Sequence, residues 1–141
     1  MGPDASGVRP LRPTAFPSRS LLLDPQASAL RTARSLVQET CVAAGIDADT
    51  ADNAVVLTSE TVTNAFIHGR SQARVTVTVH PSAVRVEVGD TSGLQPVTPD
   101  RDTAALGGRG MQIVRALADD WGVRQEPYGK TVWFEVHPRS A

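Results

Sequence analysis

The sequence has too little cysteine and too few long apolar runs for several large classes of protein. A single cysteine, Cys41, stands among 141 residues, so no intrachain disulfide can form and we expect a reducing, cytoplasmic setting. No apolar run approaches the ~20 residues that a helix needs to cross a bilayer. The N-terminus also lacks the basic-then-apolar order of a signal peptide. We therefore predict no membrane partner.

Excess charge of either sign is also missing. The chain has 14 basic and 15 acidic residues and a formal net charge of -1, whereas non-specific binding to nucleic acid requires an excess of positive charge. We therefore predict no direct nucleic-acid partner. Cysteine and histidine are scattered without the spacing of a metal site, and no serine has a paired His and Asp in a recognisable context.

What is present suits one domain with a hydrophobic core. The length and the 40% hydrophobic content are enough for one compact unit and too little for two. Residues 1–18 mix Pro, Arg, Ser and Gly with little periodicity, so they cannot bury enough apolar area to offset the entropy of ordering. We predict a flexible tail at 1–18 and a single domain at 19–138.

The hydrophobic pattern predicts helices and strands in a regular order. An apolar run at 20–23 suits an edge strand, and two helices follow, the first ending at Gly45. The second has Asp47 and Asp49 in its N-terminal turn, runs through Ile67 or His68 and is stopped by Gly69. QARVTVTVH with SAVRVEVGD predicts one hairpin, and WGVRQEP with TVWFEVH predicts another. Between the hairpins lie a candidate lid at 91–108 and a third helix. This order predicts an α+β fold, a two-layer α/β sandwich with three helices on one face of a mixed, mostly antiparallel sheet.

Glu60 and Asn64 are polar residues among apolar helix positions. At about 100° per residue they share one side of the second helix with Leu57 and Ile67. An unpaired carboxylate in partly dry surroundings is costly. One interpretation is a solvated seam or a loop cap, and the other is a functional pair that awaits a partner. The pair alone leaves both open.

Asp90 is a second acidic residue expected to face the helices. Strand alternation puts it on the face of Val86 and Val88, at the point where its strand ends and the candidate lid begins. There the carboxylate could accept a hydrogen bond from an amino group such as that of adenine. An aspartate that initiates a turn is the alternative.

Glycines at the start of the predicted third helix suggest a phosphate site. GGRGMQIV exposes backbone N–H groups at a helix N-terminus, where the helix dipole favours an anion. The segment is not a Rossmann GxGxxG motif, because Ile113 occupies the third glycine position. The GKT at 129–131 lacks the spacing of a Walker A loop and falls in a hairpin turn.

Taken in order, four motifs resemble the Bergerat-fold (GHKL) ATPases, the superfamily of gyrase, sensor histidine kinases and anti-sigma-factor serine kinases. They are ExxxNA at 60–65, an aspartate at the strand end at 90, GxGMQIV at 108–114 and GKTxxxE at 129–135. The resemblance covers roughly residues 20–137. SETVTNAFIHG, GRGMQIVRALADDWGV and GKTVWFEV look most like the anti-sigma-factor serine/threonine protein kinase branch.

The resemblance implies a role for each matching residue. Glu60 would be the general base, and Asn64 would coordinate the Mg²⁺ that bridges the ATP phosphates. Asp90 would bind adenine, and the Thr131 hydroxyl would lie near the water network of the adenine. The other residues expected near the nucleotide are His68, Gly93, Gly108, Arg109, Gly110 and Met111.

The implied function is that of a regulatory kinase. The chain would bind a sigma factor as an anti-sigma factor, transfer the γ-phosphate of ATP to a Ser or Thr of a small anti-sigma antagonist, and form a homodimer. One departure concerns the aspartate box, typically DxGxG, in which Ser92 and Leu94 replace both glycines. A second hypothesis is therefore a module that holds ATP poorly and regulates a partner by contact alone. A third, a water-directed ATPase within a larger machine, would require coupling domains that we do not find in the sequence.

Overall fold

Two helices and a five-stranded sheet make up the part of the chain that the structure describes. The computed structural model describes residues 16–69, 72–90, 116–127 and 129–138. Its elements are β1 (Ser18–Leu23), α1 (Ala27–Ala43), α2 (Ala48–Gly69), β2 (Ala73–His80), β3 (Ala83–Asp90), β4 (Asp120–Glu126) and β5 (Gly129–Val136). The predicted α+β sandwich is confirmed.

The two helices begin and end where the sequence predicts, within a few residues. The C-terminus of α1 is followed by Gly45, whose φ of 78° suits glycine better than any other residue. At the start of α2 the carboxylate of Asp47 accepts hydrogen bonds from the amide of Thr50 at 3.0 Å and from its hydroxyl at 2.7 Å, which caps the helix. Neither helix in the described ranges is long and apolar enough to cross a membrane.

The sheet has the order β1-β2-β3-β5-β4. Both predicted hairpins form, β2 with β3 and β4 with β5. The prediction of a mixed sheet is wrong for the described strands, because all four strand pairs are antiparallel. β5 pairs with β3 as well as with β4, so it lies between these two strands in the sheet.

Several predicted features lie mainly outside the described residues. Two helices are described rather than the predicted three. Of the third only residues 116–118 are described, and of these Ala116 and Leu117 have helical backbone. The candidate lid at 91–108 lies outside the described ranges, as does the predicted tail apart from its last three residues. β1 begins at Ser18, two residues before the apolar run that predicts it.

Strand alternation divides the sheet into two faces. The helix face carries the buried apolar residues, of which Val75, Val77, Val84, Val86, Phe134 and Val136 have no exposed surface. α1 packs over β1 and β2, whereas α2 packs mainly on β3 and reaches β2 and β5. The outer face carries Arg85, Glu87, Trp133 and Glu135, all half-buried. The hydrophobic core therefore lies between the helix face and the two helices.

Candidate functional site

Glu60 and Asn64 lie one turn apart on the flank of α2 that points away from α1. The other flank contacts α1, where Arg34 Nη1 donates a hydrogen bond of 3.3 Å to Ser59 Oγ. Since α1 covers β1 and β2, the flank with Glu60 and Asn64 is the one directed toward β5. Both side chains are half-buried, beside Leu57, which is fully buried.

The oxygens of this pair are available to a ligand. Within the described ranges, neither the Glu60 carboxylate nor the Asn64 carboxamide is held by a hydrogen bond or an ion pair. The described residues also contain no group of three His, Cys, Asp or Glu that could hold a metal ion. One carboxamide oxygen fits Mg²⁺, which commonly takes one or two protein oxygens together with substrate phosphates. The residues present therefore fit a metal that arrives with a nucleotide.

Asp90 lies at the same end of the sheet as the C-terminal half of α2. It is the last residue of β3 and pairs with Ala73, the first residue of β2. Residues 70–72 connect Gly69, at the end of α2, to Ala73, so the helix ends within roughly 15 Å of this strand pair. Alternation from Val88 puts the half-buried side chain of Asp90 on the helix face. The structure thus puts the Asp90 side chain on the sheet face that α2 covers, at the end of the sheet nearest to Asn64.

Thr131 lies on the opposite face of the sheet from Asp90. It pairs with Gly89 on β3, and a Cβ added to Gly89 would lie 3.4 Å from Thr131 Oγ1. The Thr131 hydroxyl donates a hydrogen bond of 3.1 Å to Glu126 Oε2. The sheet itself therefore separates Thr131 from the Asp90 side chain, and the structure does not bring these two predicted residues together.

Near the start of β5, Lys130 has its side chain on the same face of the sheet as Asp90. Its position alternates with that of Thr131 and matches those of Val132 and Phe134, which are buried on the helix face. Sequence reasoning missed Lys130 because the GKT motif was considered as a phosphate loop and then as the source of Thr131, but not for the face on which its lysine lies. The alternation in KTVWFEV is the signal that could have found it.

A charged network on the outer face ties β3, β4 and β5 together behind this end of the sheet. Arg124 donates from Nε to Glu126 at 2.9 Å and from Nη2 to Glu87 at 3.3 Å. Arg85 binds Glu87 and Glu135, each at 3.0 Å, and its guanidinium lies 4.3 Å from the centre of the Trp133 ring. The hydrogen bond from Arg124, and then that from Thr131, lowers the pKa of Glu126. Single exposed ion pairs contribute little, but a network of this kind fixes the three strands against one another.

Six predicted site residues cannot be located by their side chains. The backbone of His68 belongs to the last turn of α2, and its side chain is not among the described parts of the structure. Gly93, Gly108, Arg109, Gly110 and Met111 lie wholly outside the described residues. Their assignment to the nucleotide stays a prediction.

Comparison with known proteins identifies a family for the chain and finds solved structures of similar fold. Residues 23–136 match the family described as the histidine kinase-like ATPase domain. No curated protein sequence matches the chain. The fold is similar to a crystal structure of the RsbU and RsbW domains of Rv1364c from Mycobacterium tuberculosis, with a TM-score of 0.68 and 23% sequence identity. That similarity covers 89% of this chain, which spans only 34% of the solved one.

Proposed function

Because the chain belongs to the histidine kinase-like ATPase domain family, we propose that it is an ATP-binding, Mg²⁺-dependent protein serine/threonine kinase that acts as an anti-sigma factor. One observation carries the proposal. Glu60 and Asn64 lie one turn apart on the α2 flank that points toward β5, and Asp90 faces the same layer at the adjoining end of β3. This arrangement supports a site in which Glu60 would be the general base, Asn64 the metal ligand and Asp90 the adenine-binding carboxylate.

Asn64 and Asp90 would hold the two ends of the nucleotide. The carboxamide oxygen of Asn64 would coordinate Mg²⁺, which neutralises negative charge on the ATP phosphates when it is bound. The carboxylate of Asp90 would accept a hydrogen bond from the exocyclic amine of adenine. Since both residues belong to rigid elements, a helix and a strand, they would fix the γ-phosphate relative to Glu60.

Glu60 would act as the general base. Its carboxylate would accept the proton of a serine or threonine hydroxyl on the protein substrate. The hydroxyl oxygen would form a bond to the γ-phosphorus as the bond between that phosphorus and the ADP oxygen breaks. A half-buried position suits this role, because the carboxylate must meet both the nucleotide and a protein that comes from solvent.

The partners follow from the motifs rather than from the geometry. SETVTNAFIHG and GKTVWFEV are similar to the anti-sigma kinase branch, and the likeness of the fold to a structure that contains an RsbW domain supports that choice. We propose a sigma factor and a small antagonist protein as partners, a homodimer as the working form and the cytoplasm as its location.

The base assignment is tested with Glu60→Ala. The purified variant, incubated with γ-labelled ATP and small candidate antagonist proteins, should bind ATP as the wild type does and transfer no phosphate. Asp52→Ala is the matched control, because Asp52 is an exposed acid on the same helix; its transfer rate should equal that of the wild type. Unchanged transfer by Glu60→Ala would exclude Glu60 as the base.

The contact-only module is the second candidate, favoured by the replacement of both aspartate-box glycines. Isothermal titration with Mg-ATP separates the two. Heat at micromolar to millimolar nucleotide supports the kinase, whereas no heat at millimolar nucleotide supports regulation by contact alone.

A further inference from the structure

The register of β3 and β5, extended by one pair beyond its last hydrogen-bonded partners, puts Lys130 opposite Asp90 on the helix face. The antiparallel register of β3 and β5 runs from Val84↔Val136 to Gly89↔Thr131. The next pair in that register is Asp90 with Lys130. Side chains opposite each other in an antiparallel pair share one face and lie about 5 Å apart at Cβ. The Lys130 ammonium, near the start of β5, and the Asp90 carboxylate, at the end of β3, therefore lie side by side on the sheet face that α2 covers.

Gly129 fixes the backbone of Lys130 against the end of β3. Gly129 has a φ of 153°, and a Cβ added to it would collide with the carbonyl oxygen of Asp90. Only glycine lets the two backbones approach this closely. Lys130 itself is half-buried, as expected for a lysine whose aliphatic stem lies along a surface while its charged end reaches a polar environment.

The side chains of Asp90 and Lys130 together offer a hydrogen-bond acceptor and a hydrogen-bond donor. A carboxylate only accepts, whereas a lysine ammonium only donates and carries a positive charge. Adenine offers the complementary pattern, since its exocyclic amine donates and the ring nitrogens on either side of that amine accept. An aspartate alone would recognise only the amine.

We propose that Lys130 is a specificity-determining residue of the nucleotide site, donating a hydrogen bond to a ring nitrogen of the adenine whose amine Asp90 binds. This inference rests on the proposed nucleotide function and adds a second base-binding residue to it. Lys130 takes no part in phosphoryl transfer.

The test compares ATP with 1-deaza-ATP and 7-deaza-ATP, which keep the exocyclic amine and each lack one ring nitrogen. Affinities of the full chain are measured by titration calorimetry for the wild type, Lys130→Met and Lys130→Ala, with thermal unfolding as a check that each variant is folded. Arg74→Met is the matched control. Arg74 is an exposed cation at the same end of the sheet, paired with Gly89 on the outer face, so its loss removes the same charge without altering the helix face.

The expected result is a coupled loss. The wild type should bind one of the two analogues roughly 10-fold or more weakly than ATP, the size expected for a hydrogen bond from a charged donor. Both Lys130 variants should bind ATP more weakly by a similar factor and should no longer distinguish ATP from that analogue. Arg74→Met should retain the wild-type affinity and the wild-type discrimination.

Three results would overturn the inference. Variants of Lys130 that discriminate among the three nucleotides as the wild type does would exclude contact with the base. An equal loss for all three nucleotides would show attraction to the phosphates instead. Tighter binding of GTP than of ATP by the wild type would assign the site to guanine. If the wild type binds no nucleotide at all, the proposed function fails together with this inference, a result distinct from failure of Lys130 alone.

Discussion

Thr131 and Glu126 form a hydrogen bond of 3.1 Å on the outer face of the sheet, on the side opposite to the Asp90 carboxylate. The same oxygen of Glu126 accepts a second hydrogen bond, of 2.9 Å, from Nε of Arg124. Two donors directed at one carboxylate oxygen favour its ionised form. This relationship gives Thr131 a structural role behind the candidate site.

Glu126→Gln should lower the free energy of unfolding at neutral pH and should have little effect on it in acid. The bond from Arg124, followed by that from Thr131, lowers the pKa of Glu126 in the folded protein. The resulting stabilisation is complete above the unfolded pKa of roughly 4.3 and is lost as the pH falls through the lower, folded value. Urea unfolding of wild type and variant should differ at pH 7 and converge in acid. Glu39→Gln, at an exposed carboxylate 3.7 Å from Arg19, controls for the loss of one charge, and a Glu126 effect that is the same at every pH would contradict the prediction.

Gly129→Ala should cost more stability than Gly45→Ala and should also weaken nucleotide binding. Gly45 has a φ of 78° with open space around it, so alanine there carries only the conformational cost of about 1 kcal/mol. A Cβ at Gly129 would also collide with the Asp90 carbonyl and displace that strand end. Urea unfolding measures the first effect and ATP titration the second. Equal costs for both variants, with ATP affinity intact, would show that β5 can move away from Asp90.

Asn64→Ala should abolish the Mg²⁺ dependence of ATP binding. If the carboxamide is the protein's ligand to the metal, wild-type affinity should fall when EDTA replaces Mg²⁺, and the variant should show one weak affinity under both conditions. Asn53→Ala is the control, because Asn53 is half-buried on the same side of α2, about three turns earlier. If Asn64→Ala keeps the full dependence of ATP affinity on Mg²⁺, a residue other than Asn64 coordinates the metal.

Cys41 should resist thiol reagents until the protein unfolds. Its side chain is fully buried in the core, and desolvation raises the thiol pKa to about 11. The thiolate is the reactive form, so at pH 8 the folded protein should react with a disulfide reagent roughly 100-fold more slowly than the urea-unfolded chain. Equal rates would show that α1 opens readily at this position.

The individual elements were predictable because their signals are local. Valines at every second position define β2 and β3, and apolar residues three or four apart define α1 and α2. The capping carboxylate of Asp47 and the positive φ of Gly45 confirm the limits of the helices. None of these features depends on what the rest of the chain does.

The sheet order was not predictable from the same signals. A hairpin specifies which strands are neighbours within it, but the pairing of β3 with β5 joins residues such as Val84 and Val136, far apart in sequence. Only packing of the whole chain decides such a pairing. The mixed sheet predicted from the order of elements was wrong for the described strands for this reason.

The candidate site was predictable in the same uneven way. Spacing within one helix put Glu60 and Asn64 on one side, and strand alternation put Asp90 toward the helices. Thr131 was assigned through a motif rather than through its position in the strand. In β5, Lys130 and Val132 lie on one face of the sheet and Thr131 lies on the other. A short motif such as GKT does not show which face each of its residues occupies.

β5 follows β4 in the chain but lies between β3 and β4 in the sheet, and this order matters during biosynthesis. β4 leaves the ribosome before the strand that joins it to the sheet. Until Gly129–Val136 follows, β3 keeps an open edge and the nascent core lacks Phe134. A partly synthesised chain therefore presents an edge to which other chains can add, and chaperone binding at that stage would protect it until β5 is inserted.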